Sequence, residues 1–307
     1  MKPNFIIGGV PKSGTTALAN YLRTHPQIYF SFVKEPFYWA SDMPGLRSSE
    51  GIETTQAYES LFQAATDEHA VVGEGSTLYL YSDCAVPDSL AYNPSMRYLF
   101  MLRRPDEVAH AYHMQMCFHE AENEPDFEKA WRMQESRRSN PASIAARCKS
   151  PRLLQYASVA ALGTQLERAL AVIPPAQVHV LLFDDFAQDP KAEYERVLSF
   201  LELPSDGRSE FPKDNAAMKS NSVVVTRMLR SKPVRNVTMF LKSRLSGAFY
   251  RYARAAKHKL MFRPSKREPV SREFSRELVE HFAPEVEKVE RLLGRDLNHW
   301  KLPKDQA

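Results

Sequence analysis

Phe5-Ile6-Ile7-Gly8-Gly9 leads into Val10-Pro11-Lys12-Ser13-Gly14-Thr15-Thr16 and then into Ala17-Leu18-Ala19-Asn20-Tyr21-Leu22-Arg23. A short apolar run, a loop of glycines and hydroxyls, and an uninterrupted helical pattern predict a strand that turns directly into a helix. The start of a helix leaves backbone N–H groups unpaired and carries the positive end of the helix dipole. Such a loop favours an anion, and Lys12 adds a full charge. The stretch therefore reads as a cradle for a phosphate-like group.

Its spacing separates it from the common nucleoside triphosphate loop, in which a lysine directly follows the second glycine and a hydroxyl holds Mg²⁺. Gly9 and Gly14 have the right separation, but Thr15 and Thr16 follow Gly14 and the lysine sits earlier. An early lysine suits a shorter, doubly substituted 5′ group, and no metal is implied.

The chain has 307 residues, 43% of them hydrophobic and 25% charged, which fits a soluble globular protein able to bury a full core. One domain spanning residues 1–307 is expected. The net charge of +4 conceals an asymmetry. Asn215–Arg267 carries 14 Lys and Arg and no Asp or Glu, which leaves 27 basic against 37 acidic residues elsewhere. This basic span interleaves Met228, Phe240, Phe249, Tyr250, Tyr252 and other apolar residues with its cations. It is expected to be helical, on the acceptor side or at the surface, with a basic face that meets the acidic remainder, an anionic surface or a membrane. Cys84, Cys117 and Cys148 are odd in number and in no Cys-x-x-Cys arrangement, so neither a disulfide framework nor a zinc site is suggested. The first apolar run is too short for a signal-peptide core, and no stretch approaches the ~20 apolar residues of a membrane span. A cytoplasmic location follows as an expectation, with the basic span allowing contact with the inner membrane surface.

Further along, strands are expected at Ile28–Val33, Ala70–Glu74, Tyr98–Leu102 and Val178–Phe183. Helices are expected over Tyr58–Ala65, within Ser82–Ser95, and over Asp106–Met116, Ala161–Val172 and Ala192–Leu201. Residues 40–57 read as a polar surface excursion. A last helix carries Phe274, Leu278, Val279, Phe282, Val286, Val289 and Leu293 on one face. Apolar strands alternating with helices predict an α/β fold of three layers, a central parallel sheet flanked by helices. Ligands of such sheets bind at the carboxyl ends of the strands, where Lys12, Lys34-Glu35 and Arg103 all fall.

In this order the pieces resemble the P-loop sulfotransferases that use 3′-phosphoadenosine-5′-phosphosulfate (PAPS). The resemblance rests on Pro11-Lys12-Ser13-Gly14-Thr15-Thr16, Lys34-Glu35-Pro36-Phe37, Gly73-Glu74-Gly75-Ser76-Thr77-Leu78-Tyr79 and Leu102-Arg103-Arg104-Pro105. It continues through Asp184-Asp185-Phe186 and Phe282-Ala283-Pro284 to Trp300. It implies that Ser13, Gly14, Thr15 and Thr16 bind the donor's 5′-phosphosulfate and that Lys12 stabilises charge on the bridging oxygen as sulfate leaves. Glu35 resembles the carboxylate that takes the acceptor's proton in glycan-directed, heparan-type members. The histidine of the cytosolic branch has no counterpart, since none lies between His69 and His110.

Arg103 matches the family's 3′-phosphate arginine, with Lys266 and Arg267 as a loosely matching late phosphate loop. The usual serine eight residues later is Ala111, a departure at the 3′-phosphate end, and Arg104 reads as a solvated neighbour. Lys34 and Glu74 are acceptor-side candidates, although Glu74 reads equally as a structural hydrogen-bonding group. Gly75 replaces a lysine found in relatives that act on sulfated polysaccharides. Loops 40–57, 118–156 and 203–270 are expected to shape the acceptor pocket.

The implied reaction is sulfuryl transfer from PAPS to a hydroxyl of a carbohydrate or glycolipid, leaving adenosine 3′,5′-bisphosphate. Two other readings compete with it. A small-molecule P-loop kinase would need the lysine after Gly14. Nucleic-acid or anionic-surface binding through the basic span would need stacking or groove-reading motifs, and no nucleic-acid partner is expected.

Overall fold

The apolar segments form five parallel strands, β1 (Phe5–Gly9), β2 (Ile28–Phe30), β3 (Val71–Gly75), β4 (Arg97–Leu102) and β5 (Val178–Leu182), in the order β2–β3–β1–β4–β5. A computed structural model describes residues 1–49, 51–140, 143–212, 218–220, 262–264 and 269–303. The chain divides into two units, Met1–Asp214 with Val270–Ala307, and Asn215–Pro269. The second unit coincides with the basic span. Its described part is an antiparallel pair, β6 (Met218–Ser220) with β7 (Phe262–Pro264). The expectation of basic helices there, and Lys266 and Arg267, lie outside the described residues.

In the first unit the helices are α1 (Thr15–Leu22), α2 (Pro44–Ser49), α3 (Thr55–Ser60), α4 (Ala85–Tyr92), α5 (Pro105–Phe118) and α6 (Phe127–Arg132). They continue with α7 (Gln134–Ser139), α8 (Tyr156–Val159), α9 (Leu162–Leu170), α10 (Phe183–Gln188), α11 (Pro190–Phe200) and α12 (Arg272–Leu293). Strand periodicity sorts the core into two layers. Ile6, Tyr98, Phe100 and Leu102 face one layer, with Val108 of α5, Leu166 of α9 and Phe282 of α12. Phe5, Ile7, Leu99 and Met101 face the other, with Leu18 and Leu22 of α1 and Tyr194 and Val197 of α11. Each fully buried side chain of this size contributes about 1.5–3 kcal/mol. Strand β1 is central because both of its faces are covered and both of its edges are paired.

Several expectations need correction. Strand β2 stops at Phe30 instead of Val33. The Arg23 guanidinium takes the Ser31 carbonyl at 3.0 Å, the Ser31 hydroxyl bonds the Val33 backbone at 3.2 Å, and the ladder ends. The helix expected over Tyr58–Ala65 begins earlier and ends at Ser60, because the Thr54 side chain caps it by accepting from Ala57 N at 3.1 Å. The excursion at 40–57 is packed, not a surface feature. Ala40, Met43, Leu46 and Ile52 are buried, and α2 and α3 form within it. Arg104 is not solvated. It pairs with Asp106 at 2.7 Å and donates to Leu302 O at 2.8 Å, fastening the C-terminal segment to the start of α5.

The stretch 118–156 is likewise built around a buried anchor and is not an open loop. Arg137 and Glu122 pair through two bonds of 2.6 Å with no exposed side-chain surface on either residue. Tyr156 OH and the backbone N–H groups of Asn123 and Glu124 also donate to that carboxylate. Removing one partner of such a pair leaves a bare buried charge. Arg137→Met is expected to cost about 3–5 kcal/mol in urea unfolding, with most of it recovered in the double variant Glu122→Gln/Arg137→Met. A loss below about 1 kcal/mol in the single variant would show that the pair is not an anchor.

Candidate active site

The strand register brings three carboxyl ends together. Phe5 of β1 pairs with Gly73 on one side and with Arg97 on the other, so the loops after β1, β3 and β4 leave the sheet side by side. The chain leaves β1 toward β2 and later crosses to β4, the arrangement that opens a crevice at the central strand.

After β1, the loop is pinned to β4. Val10 N donates to Met101 O at 2.8 Å, and the Ser13 hydroxyl donates back to Val10 O at 2.7 Å. Gly14 then adopts φ 88° as the N-cap of α1. A Cβ there would lie 3.2 Å from the Phe183 ring besides facing the left-handed penalty, so both space and conformation require glycine. Helix α1 has no side-chain cap and no acidic residue in its first turn. Its first N–H groups and positive dipole end are thus left to an anion, which is how the residues present fit a phosphosulfate.

Lys12 sits at φ 68°, a left-handed conformation costing about 1–3 kcal/mol for a side-chain-bearing residue. Arg103 of the β4 end donates from Nη1 to Lys12 O at 2.8 Å. A hydrogen bond from a charged donor contributes about 1.5–3 kcal/mol, enough to offset that cost. The same guanidinium donates through Nε to Glu107 at 2.7 Å and through Nη2 to the same oxygen, and lies over the Phe183 ring at 4.5 Å.

Glu35 and Phe37 are likewise left-handed, at φ 57° and 52°. Among the described residues only Glu120 and Glu202 join these three as non-glycine residues of positive φ. The segment after β3 holds the strained 35–39 stretch at four points. Glu35 N donates to Gly75 O at 3.1 Å, Phe37 N to the Ser76 hydroxyl at 3.2 Å and Trp39 N to Tyr79 OH at 3.3 Å. The Thr77 hydroxyl donates to the Glu35 carboxylate at 3.3 Å. Lys34, 57% exposed, links the two loops. Its Nζ lies 2.6 Å from Thr16 Oγ1 and 3.8 Å from Glu35 Oε1.

Glu74 carries no exposed surface and sits behind this lining, so in this conformation it presents nothing directly to an acceptor. The Ser76 hydroxyl donates to its Oε2 at 2.8 Å and so fixes the oxygen that receives Phe37 N. Burial pushes its carboxyl up to about 7, opposed by hydrogen bonds from Tyr79 and Ser76 and reinforced by the Glu35 charge. Ala111 is buried in α5, with no polar group to offer. Ser76, Thr77, Glu107 and Phe183 are site-building residues that motif reading did not single out by role. The four-residue spacing of Arg103 and Glu107 at a helix start was their one visible signal. A surface cavity of about 360 Å³ lies elsewhere, between α10, α11 and Arg295, lined by three carboxylates, Asp185, Asp189 and Glu193, against two arginines, Arg196 and Arg295.

In this parallel α/β sheet an uncapped helix start and an early lysine follow β1, and a carboxylate follows β2, tied by its backbone N–H to the end of the intervening strand β3. The chain belongs to the sulfotransferase family, whose sequence profile matches residues 3–207. It is similar to carbohydrate sulfotransferase 15 of Rattus norvegicus, 31% identical over a match covering 34% of this chain and 26% of that protein. The membrane-associated sulfotransferase kil1 of Dictyostelium discoideum is 33% identical, covering 34% of this chain and 21% of that protein. The match thus spans about a quarter of the length of these curated relatives. A sulfotransferase from Alicyclobacillus acidocaldarius has the same fold, with TM-score 0.70 and 25% identity over 98% of this chain and 100% of that one. Among the described residues no helix is long and apolar enough to cross a membrane.

The buried carboxyl gives a test of stability. Its ordinary value is 4.5 and its folded value about 7, so the folded protein holds this proton more tightly than the unfolded chain. The resulting stability is complete below the unfolded value and lost as pH rises through the folded one. The loss amounts to about 3 kcal/mol, because each tenfold gain in proton affinity is worth about 1.4 kcal/mol. Glu74→Gln removes this dependence. Its unfolding free energy is expected to gain on the wild type by about that amount between about pH 5 and about pH 8. Parallel losses in both proteins would rule this out.

Proposed function

We propose that this chain transfers a sulfuryl group from PAPS to an acceptor hydroxyl, with Lys12 and Glu35 as the catalytic residues. The observation that carries the proposal is the Lys34 bridge, which spans from Thr16 of the anion cradle to the Glu35 carboxylate with contacts of 2.6 and 3.8 Å. It sets a base within one side chain's reach of the group to be transferred.

In this reading the backbone and hydroxyls of Ser13, Gly14, Thr15 and Thr16 bind the 5′-phosphosulfate. The acceptor oxygen forms a bond to sulfur in line with the bond that breaks, between sulfur and the bridging oxygen of the 5′-phosphate. Glu35 receives the acceptor's proton. Lys12 faces the bridging oxygen and stabilises the charge that grows on it, an interaction stronger in the transition state than in the ground state. Lys34 adds positive charge beside the transferred group. The two N–H groups of Arg103 not engaged with Glu107 or Lys12 are left for the 3′-phosphate, since a guanidinium carries five. Adenosine 3′,5′-bisphosphate leaves. For the acceptor we propose a carbohydrate or glycolipid, on the likeness to carbohydrate sulfotransferases. Gly75, in place of a lysine, argues against a heavily sulfated one.

Thermal shift with PAPS, adenosine 3′,5′-bisphosphate and ATP with Mg²⁺ tests the donor. Stabilisation by the first two is expected, and by ATP with Mg²⁺ alone would refute the reading. Transfer of labelled sulfate to a panel of glycans, glycolipids and phenols then identifies the acceptor. Lys12→Ala is expected to lower kcat by about 10²–10³, and Glu35→Gln by about 10²–10⁴. Full turnover in a folded Lys12→Ala or Glu35→Gln protein would remove that residue from the mechanism.

A further inference from the structure

Glu107 lies one helical turn past Arg103, in the first turn of α5, and is buried. Its Oε2 receives both Nε and Nη2 of the guanidinium, whose face rests on Phe183 at 4.5 Å. Held along one edge and on one face, the planar fork has its direction set for Nη1, which donates to Lys12 O at 2.8 Å. The ion pair is shielded, with 16% and 10% of the two side chains exposed, so solvent screens it little. The same Phe183 ring also packs close to Gly14, where a Cβ would lie 3.2 Å from it. The backbone of Lys12, in a conformation that persists only when its surroundings impose it, therefore hangs on a chain that starts at Glu107.

We infer that Glu107 is a positioning residue that acts through Arg103 on the backbone of Lys12 and so directs the Lys12 ammonium at the reacting group. This rests on the sulfuryl-transfer reading above. It gives Arg103 a task at the 5′ end of the donor, distinct from any contact with the 3′-phosphate. A lysine in place of Arg103 would keep the charge but could not fork between a carboxylate and a carbonyl.

The experiment compares wild type, Glu107→Gln, Glu107→Ala and Arg103→Lys. It measures sulfuryl transfer from PAPS, and calorimetric binding of adenosine 3′,5′-bisphosphate and of adenosine 5′-monophosphate. In Glu107→Ala kcat is expected to fall roughly ten- to hundredfold through misplacement of Lys12, and less in Glu107→Gln, with the acceptor KM unchanged. Both nucleotides should lose affinity, because both use the cradle at the 5′ end, and any additional loss for the bisphosphate reports the Arg103 contact with its 3′-phosphate. A loss confined to the bisphosphate would put the effect at the 3′-phosphate and overturn the inference. A lowered melting temperature with unchanged kcat would do the same, since it marks a merely structural pair. If Glu107→Ala does not fold, Arg103→Lys carries the test through its affinity for adenosine 5′-monophosphate, which has no 3′-phosphate for Arg103 to contact: a loss is expected, and unchanged affinity would overturn the inference. Wild-type protein that neither binds the bisphosphate nor transfers sulfate would defeat the functional reading and this inference together. Active wild type matched by its variants would defeat only the inference.

Discussion

The pairing of β1 with β3 on one edge and β4 on the other governs the site. Parallel strands run their carboxyl ends to the same side, so a central strand flanked in this way delivers three loops to one place without any of them being long. A slip of one residue would exchange the two faces of the strand and turn Ile6 and Ile7 toward the wrong layers. With β2 paired to the far edge of β3, the burial that fixes the register of the sheet also sets how far the Glu35 segment after β2 lies from the loop after β1.

The same neighbours that deliver the loops also hold them in conformations they would not keep alone. Lys12 and Glu35 are both left-handed, and each is tied by the strand end beside it, Lys12 through Arg103 of the β4 end and Glu35 through Gly75 of β3. The strain is small beside the hydrophobic core. It selects one backbone direction for each of the residues that carry the Lys12 and Glu35 side chains.

The sheet and its helices were legible because their residues repeat with a period: β1, β3, β4 and β5 as apolar runs, α12 as a stripe of seven apolar residues. The misreadings fall where period is absent. In 40–57 single apolar residues such as Met43 and Ile52 enter the core from irregular backbone, and their polar neighbours made the stretch look superficial. Arg104 looked solvated because its partners include Leu302 O, nearly two hundred residues away in sequence. In the site, Pro11–Thr16 and Lys34-Glu35 stood out as motifs of consecutive residues, and the structure brings the two loops within one side chain's length through Lys34. Ser76, Glu107 and Phe183 act through geometry, which only the folded chain displays.

Three carboxyl groups, Glu35, Glu74 and Glu107, lie around the loop between β1 and α1, and each has its own compensation. Glu107 is matched by the Arg103 guanidinium and Glu35 by Lys34. Glu74, set among the hydroxyls of Ser76, Tyr79 and Tyr58, is compensated by its own proton, which burial retains up to about pH 7. While that proton stays, Lys12, Lys34 and Arg103 outweigh Glu35 and Glu107, and the dipole of α1 adds to the surplus. Losing it would cancel the excess with a charge placed in low dielectric, where its reach is longest. Burying Glu74 is therefore an electrostatic choice as well as a packing one. It supplies a polar anchor for Ser76 and the loop of Glu35 while leaving in place the positive potential around Lys12, Lys34 and Arg103.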